Sequence, residues 1–494
     1  LGEVQNRGIM DLVTVEKVNE VFVRVLAEPS LKMEMSEHFT FEVPGAKFMP
    51  AVRNKVWDGK VRLLNTMTGY IYAGLVPYIK KFCDQRGYEC TVSKELGETE
   101  AVPDDYGYDL AQQVDAAFEV RDYQNDAIVH AIRQNRALFL SPTASGKSFI
   151  IYLIMAHHLM LDRKILIVVP TTSLVDQMAS DFVEYNKGKK LDIHKIRGGM
   201  EKNVDAEITI TTWQSVYKMP KTFFEKFDVV FGDEAHNFKA KSLTSILEKM
   251  PHVKYRYGLT GTLDGTQTHK LVLEGLFGTV FTVTKTKKLI DDNVLSSFKI
   301  KALVLKYPDD IKKTNKGKSY QEEIDWIVRN QSRNMFIRNL AWNLPGNTLI
   351  LFQYVDKHGQ ALFDMLNKSE EHSVYFVHGG VKTDERETIR HDVRKTKGNI
   401  ICASYGTFST GINIPELDNL IFASPSKGRI RNLQSIGRVL RKGKDKSSAV
   451  LYDVVDDLQW KNTQNFAVKH FMERVKIYSE EGFEFKIYNV DVKG

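Results

Sequence analysis

The sequence predicts an α/β protein with two tandem parallel-sheet domains preceded by a small α/β domain. Three observations carry this reading. From about Phe118 onward, short β-rich apolar runs alternate with longer helical segments, the pattern of a parallel sheet covered by helices. The alternation occurs twice: candidate strands fall at 137–140, 164–169, 206–210, 228–231 and 255–259, then at 348–352, 373–377, 398–403 and 419–423. Ahead of both series, residues 95–115 carry seven acids and no Lys or Arg, with Gly97, Pro103, Gly107 and no apolar periodicity. That stretch reads as a linker closing a first domain.

In chain order, residues 1–112 are expected to form the small α/β domain with its acidic linker, 113–290 the first parallel-sheet domain and 291–460 the second. A helical or extended segment, 461–494, follows. The lysine-rich stretch 283–334 reads as the connection into the second domain. A composition of 43% hydrophobic and 11% aromatic residues over 494 positions fills several cores and excludes a disordered or collagen-like chain. Cys83, Cys90 and Cys402 are too few and too scattered for a disulfide framework or a zinc site, which suits a reducing cytoplasm. The longest apolar runs, 149–156 and 165–169, fall far short of the roughly 18 residues of a membrane span. Residues 1–10 show neither a charged leader nor an apolar signal core, so secretion is not expected.

Lys and Arg outnumber Asp and Glu by 69 to 62, a net charge of +7 that permits a polyanionic partner without identifying one. Local charge says more. Between positions 47 and 62 the chain carries Lys47, Arg53, Lys55, Lys60 and Arg62 against Asp58 alone, with Phe48 and Trp57 interleaved. A basic face on a small added domain gives sequence-independent affinity for a duplex backbone. The competing reading is an exposed amphipathic strand whose Val52, Val56 and Val61, with Trp57, face a small core.

Ser141-Pro142-Thr143-Ala144-Ser145-Gly146-Lys147-Ser148 follows a candidate strand and precedes an apolar helix. That context suits a phosphate cradle, because loop amides and a helix N-terminus converge on phosphate oxygens. Lys147 would reach the outer phosphates of ATP and Ser148 would ligate Mg2+. The pattern lacks its first glycine, since Ser141 stands there. Gly317-Lys318-Ser319 repeats the core triplet, but no strand precedes it, so it reads as a loop. The apolar run 227–231 ends in Gly232-Asp233-Glu234-Ala235-His236. Adjacent carboxylates at the end of a buried strand are costly unless they serve a cation or a water. Asp233 would hold Mg2+ through its water shell, and Glu234 would deprotonate the attacking water.

The phosphate loop together with Asp233-Glu234-Ala235-His236 resembles superfamily 2 helicases, and the other motifs of that family follow in order. Arg121-Asp-Tyr-Gln124 resembles the adenine-recognition segment. Pro170-Thr171-Thr172 and Thr211-Thr212-Trp213-Gln214 resemble strand-contacting loops, and Thr260-Gly261-Thr262 the coupling motif. Ser404 to Gly411 and Gln434-Ser-Ile-Gly-Arg438-Val-Leu-Arg441 resemble the motifs of the second motor domain. Asn413 stands where many members have Asp. A further resemblance, carried by Asn54-Lys-Val-Trp-Asp-Gly-Lys-Val-Arg-Leu-Leu64, Gly74-Leu75-Val76 and Ile79-Lys-Lys-Phe-Cys-Asp84, is to the accessory domain of a phage family of recombination helicases.

These resemblances imply two RecA-like domains with ATP between them, supported by Arg121, Gln124, Thr143, Ser145, Gly146, Lys147, Ser148 and Gly411. Arg438 and Arg441, three apart on an expected helix and so on one face, would act with Gln434 as arginine fingers. Thr171, Thr172, Thr211, Thr212, Trp213 and Ser404 would grip the DNA backbone, although helix capping by Thr172 and Ser173 competes with that reading. The implied partners are branched, duplex and single-stranded DNA and RNA–DNA hybrids, with the free protein monomeric and no membrane involved. A passive annealing protein, a restriction-system motor and an RNA helicase remain as rival readings.

Overall fold

The computed structural model describes residues 12–492 apart from 240, 412, 413, 415, 425–427, 444 and 445, so the N-terminal eleven residues and Asn413 lie outside the described residues. The chain divides into two units, Leu1–Thr284 and Lys285–Gly494. Among the described residues, no helix is long and apolar enough to cross a membrane.

The first unit begins with β1 (Leu12–Lys17), β2 (Phe22–Leu26), β3 (Thr40–Glu42), β4 (Lys60–Arg62), β5 (Tyr70–Tyr72) and β6 (Glu89–Val92). Four of them form a sheet in the order β5-β2-β1-β6, and β3 pairs antiparallel with β4. In β1 and β2 the period-2 alternation buries Val13, Val15, Val23 and Val25 on one face. The helix Val76–Arg86 covers them with Val76, Ile79, Phe82 and Cys83, whose spacing follows the helical repeat. Gly87, at φ 72°, ends that helix in the left-handed conformation that glycine adopts without strain.

The same unit continues with β7 (Arg136–Leu140), β8 (Ile165–Val169), β9 (Ile193–Ile196), β10 (Ile208–Thr212), β11 (Val229–Asp233), β12 (Tyr255–Thr260) and β13 (Val280–Thr282). All pair in parallel, in the order β13-β7-β12-β11-β8-β10-β9. The five expected strands are present, and the short β9 and β13 extend the sheet at its two edges. The acidic stretch carries the helix Tyr106–Gln113, which buries Leu110 and Ala111. It is held by Asn125, whose side chain accepts from Gly107 N at 2.9 Å and donates to Asp104 O at 2.7 Å.

The second unit contains β14 (Ser297–Lys306), β15 (Asn347–Phe352), β16 (Val374–Val377), β17 (Ile400–Ser404), β18 (Leu417–Phe422), β19 (Ser448–Asp457) and β20 (Glu484–Asp491). They form a second parallel sheet in the order β16-β17-β15-β18-β19-β14-β20. The lysine-rich stretch read as a connection therefore supplies an internal strand, β14, and residues 461–494 supply the helix Phe466–Glu480 and β20. Arg333, fully buried, donates to Asp456 at 2.8 Å and to Ala423 O at 2.6 Å, pinning the ends of β18 and β19 together. Gly317-Lys318-Ser319 is the turn between helices Asp309–Asn315 and Tyr320–Arg329. Ser319 closes it as a capping box with Glu322, which accepts from Ser319 N at 2.8 Å.

Candidate functional site

Parallel pairing puts the carboxyl ends of neighbouring strands at one edge of a sheet, where α/β folds place ligands. In the first unit the register pairs Leu140 with Thr260 and Asp233 with Leu259. It also pairs Thr212 with Val169. The segments after β7, β8, β10, β11 and β12 therefore share that edge, and all five carry expected site residues.

The phosphate loop is braced from three sides. Ser141 N donates to Thr260 O at 2.8 Å, and its buried hydroxyl meets that of Ser145 at 2.6 Å. Serine in place of the first glycine thus tethers the loop to itself through its hydroxyl, while the bond to the coupling motif comes from the backbone N–H that glycine would also supply. Gln124, only 4% exposed, accepts from Arg121 N at 3.0 Å and donates to Ser145 O at 2.9 Å. Both ends of its amide are engaged in holding the loop. Gly146 has φ +81°, and a Cβ there would lie 2.3 Å from Gln124 Nε2, so no other residue fits. Thr143 and the exposed Ala144, itself at φ 66°, complete the loop. Arg121 is exposed, its guanidinium donating to Tyr123 OH at 2.8 Å.

Lys147 opens the helix Lys147–Leu159, and its Nζ lies 2.9 Å from both Asp233 and Glu234. Burial works against the ammonium, but the two carboxylates outweigh it and raise the Lys147 pKa. Burial raises Asp233, whereas Lys147 and His236 overcome burial at Glu234 and hold it well below the usual carboxylate range. Glu234 sits at φ 49°, a conformation rare for its residue type. Its Oε2 is buried without a hydrogen-bond donor, 3.4 Å from His236 Nδ1. His236 Nδ1 also meets Thr260 Oγ1 at 3.0 Å, which connects the acidic motif to the coupling motif. The buried Thr262 closes the latter, accepting through its carbonyl from Thr260 Oγ1 at 2.8 Å.

Ser148 turns toward the helix Thr172–Tyr185, where its hydroxyl meets Tyr185 OH at 2.7 Å. Tyr185 was not singled out from the sequence, since a contact 37 positions away follows no motif spacing. The oxygen donors of Asp233 and Ser148, with phosphate oxygens beside them, suit a hard cation such as Mg2+.

The expected nucleic-acid contacts differ in availability. Thr171, rather than Thr172, caps the helix Thr172–Tyr185, accepting from Leu174 N at 3.4 Å. Thr211 is fully buried, and the Thr212 hydroxyl meets Ser215 at 2.9 Å. Trp213 is half-buried, edge-on to Tyr217. In the second unit Ser404, at the end of β17, meets Thr407 Oγ1 at 2.9 Å, ahead of the helix Tyr405–Gly411. The helix Arg429–Val439 carries Gln434 and Arg438, and the Arg438 guanidinium lies 5.8 Å from the Phe408 ring centroid. Arg441 falls beyond the end of that helix, so the shared helical face expected for the two arginines is not formed. The turn follows from Leu440, whose N–H still bonds Ile436 O, after which Lys446 donates back to Val439 O and Arg441 O. Burial, and then the Arg390 charge, lower the Arg441 pKa.

Arg53, Lys55, Lys60 and Arg62 are all exposed, and Arg62 pairs with Asp58 at 2.5 Å. The amphipathic-strand alternative holds only in part: Val61, on β4, packs against the small domain's core, whereas Pro50–Arg53 is helical and Val56 is 81% exposed.

Residues 14–93 match the family described as DNA helicase UvsW, N-terminal; 117–265 match the type III restriction enzyme res subunit, and 332–443 the helicase conserved C-terminal domain. The chain is 36% identical to the ATP-dependent DNA helicase uvsW of Enterobacteria phage T4, over 95% of its own length and 98% of the relative's. It is 25% identical to the DNA 3'-5' translocase XPB2 of Sulfurisphaera tokodaii, over 76% of this chain and 89% of that one. The crystal structure of T4 UvsW aligns with a TM-score of 0.51 and 33% identity, covering 97% of this chain and 99% of that one. The two parallel sheets are thus the expected RecA-like pair, with a small α/β region ahead of them. The chain therefore belongs to the UvsW family and is an ATP-dependent DNA helicase with superfamily 2 motor domains.

Proposed function

We propose that this helicase is a translocase for branched nucleic acids, migrating Holliday junctions, regressing forks and dissolving D-loops and R-loops during phage recombination, repair and replication. It works as a monomer when free, in the cytoplasm of the infected host cell. The observation that carries the motor chemistry is the cluster of Lys147, Asp233 and Glu234 at the sheet's carboxyl edge, with Glu234 Oε2 lacking a hydrogen-bond donor. Lys147 exchanges its carboxylate partners for the outer phosphates of ATP. Glu234, released from Lys147 as the lysine turns to the phosphates, orients the attacking water and accepts its proton as the bond to phosphorus forms. Asp233 and Ser148 would hold Mg2+, which would supply positive charge against the phosphates. Ser145 and Gly146 shape the amide cradle, and Arg121 and Gln124 flank the adenine side. Gln434, Arg438, Arg441 and Gly411 supply the second domain's contribution. Thr171, Thr172, Thr211, Thr212, Trp213 and Ser404 lie at or beside strand ends that grip the DNA backbone. Arg53, Lys55, Lys60 and Arg62 hold duplex phosphates.

The test is ATP hydrolysis with single-stranded, duplex, forked and four-way DNA and with RNA. Forked and four-way DNA are expected to stimulate turnover most. Strongest stimulation by RNA, or none by any nucleic acid, would overturn the branched-DNA reading.

A further inference from the structure

Residues 43–59 leave the small domain as an excursion on the two-stranded stem β3–β4, closed at its base by Val43 N donating to Gly59 O at 2.9 Å. Two glycines at positive φ, Gly45 and Gly59, bound it, and a Cβ on Gly59 would already touch the Ala46 Cβ at 3.0 Å. Inside, Ala46 is buried, and the Trp57 indole donates to Lys60 O at 2.9 Å. Val56 N and Trp57 N both return to Ala51 O, at 2.9 and 3.1 Å. The excursion is thus braced by its own hydrogen bonds. Its outer surface is nevertheless apolar: Phe48 is 73% exposed, Val56 81% and Met49 41%. Lys47, Arg53, Lys55 and Lys60 are exposed on the same excursion and its stem, and the Lys47 ammonium sits 5.1 Å from the Phe48 ring centroid. Asp58, the acid within the excursion, is committed to Arg62.

An internally hydrogen-bonded excursion that exposes both apolar and basic side chains complements the end of a base stack flanked by phosphates. Apolar wedges of Phe and Met that unstack a base step are an established way for a protein to open a duplex. We infer that the tip formed by Phe48, Met49 and Val56 is a strand-separating wedge that stacks on the first base pair of a branched duplex while the exposed lysines and Arg53 hold its phosphates. The inference rests on the basic surface reading above and assigns its apolar part a separate task.

The test uses the full chain with Phe48→Ala/Met49→Ala, with Phe48→Trp as the conservative variant, and with Arg53→Glu/Lys55→Glu/Lys60→Glu. Two measurements are made on each: unwinding of a forked duplex, with 2-aminopurine at the first base pair of the fork, and ATP hydrolysis stimulated by single-stranded DNA. The apolar double variant is expected to lose about tenfold in unwinding rate, the equivalent of one base-stacking contact, together with the 2-aminopurine signal of unstacking. Its single-strand-stimulated hydrolysis should persist, and Phe48→Trp should restore unwinding. The charge-reversal variant should instead lose duplex affinity and its salt dependence. Fork unwinding and 2-aminopurine signal at parental levels in the apolar variant, with affinity lost only in the charge variant, would leave the basic surface standing and overturn the wedge. A parallel fall of unwinding and single-strand-stimulated hydrolysis would overturn it too, because the tip would then be serving the motor itself.

Discussion

Lys147 holds two carboxylates at once; Lys147 and Asp233 are each shifted by both of their partners, and Glu234 by Lys147 and His236. Burial alone would neutralise all of them, yet the lysine's charge is retained and Glu234 stays strongly ionised. Paired with Lys147 this carboxylate is ionised but a weak base; once the lysine turns to the phosphates that pull is withdrawn, and its basicity toward a water rises. Glu234→Gln keeps the shape and the Asp233–Lys147 pair while removing the base. Nucleotide affinity should therefore persist while hydrolysis falls by about 10² to 10⁴, the range for loss of a general base. Equilibrium nucleotide binding beside single-turnover hydrolysis checks this, and parental hydrolysis would remove Glu234 from the role. At this scale the phosphate loop and the acidic motif were legible because their residues are contiguous and follow apolar strands. The partner of Ser148 was not, since Tyr185 reaches it from another helix.

At the scale of elements, the small domain packs on the helix Gln267–Phe277 of the first motor domain, and Tyr72 OH donating to Glu248, Glu20 N donating to Pro251 O and Arg136 donating to Glu20 O add further ties. Glu274 on that helix accepts from Tyr78 OH at 2.6 Å, and a Cβ at Gly74 would lie 1.9 Å from Glu274 O. On the same helix, Gly275 would place a Cβ 2.7 Å from that of Tyr72. Glycine is required at both positions by close approach rather than by φ. The helix also carries His269, whose Nε2 meets His236 O at 3.0 Å, so one element touches both the acidic motif and the small domain. Gly74→Val cannot be absorbed by a side-chain rotation, because the obstacle is backbone. It should cost at least the ~1–3 kcal/mol of ordinary overpacking and loosen the small domain's hold on the motor. Limited proteolysis between the two, with a separate early thermal transition, is the expected result. A single unaltered transition would show that the contact does not join them.

The same scale explains what sequence reading missed. In β14, Lys299 and Lys301 alternate with buried Phe298, Ile300 and Ala302, so an internal strand resembled a lysine-rich connection to a search for continuous apolar runs. The edge strand β20 exposes most of its side chains and lacks any core signature. The acidic stretch was read as a linker because its helix buries little more than Leu110 and Ala111 beneath a charged face.

Across the whole molecule, the residues that the proposed function assigns to the nucleotide are split between units: Lys147, Asp233 and Glu234 in the first, Arg438 and Arg441 in the second. An arginine can stabilise charge on phosphates held by the first unit only when the second closes on it, so hydrolysis becomes conditional on a movement of whole domains. That condition separates a motor from an ATP-binding switch. The two arginines stand differently, with Arg438 on the helix Arg429–Val439 and Arg441 past its end, so they need not contribute equally. Arg438→Ala leaves the phosphate loop and its carboxylates untouched, and nucleotide affinity should change little. Hydrolysis should fall by about 10³ or more, as when an arginine finger is withdrawn. Arg438→Lys should rescue poorly, because an ammonium lacks the planar set of donors that spans two phosphate oxygens. A simple loss of surface charge would be repaired by lysine, which makes the conservative variant the decisive one. The measurement is DNA-stimulated turnover alongside nucleotide affinity for Arg438→Ala, Arg438→Lys and Arg441→Ala. If lysine restores full turnover, position 438 supplies only charge; if alanine leaves turnover and fork unwinding intact, closure of the second unit delivers its cation from elsewhere.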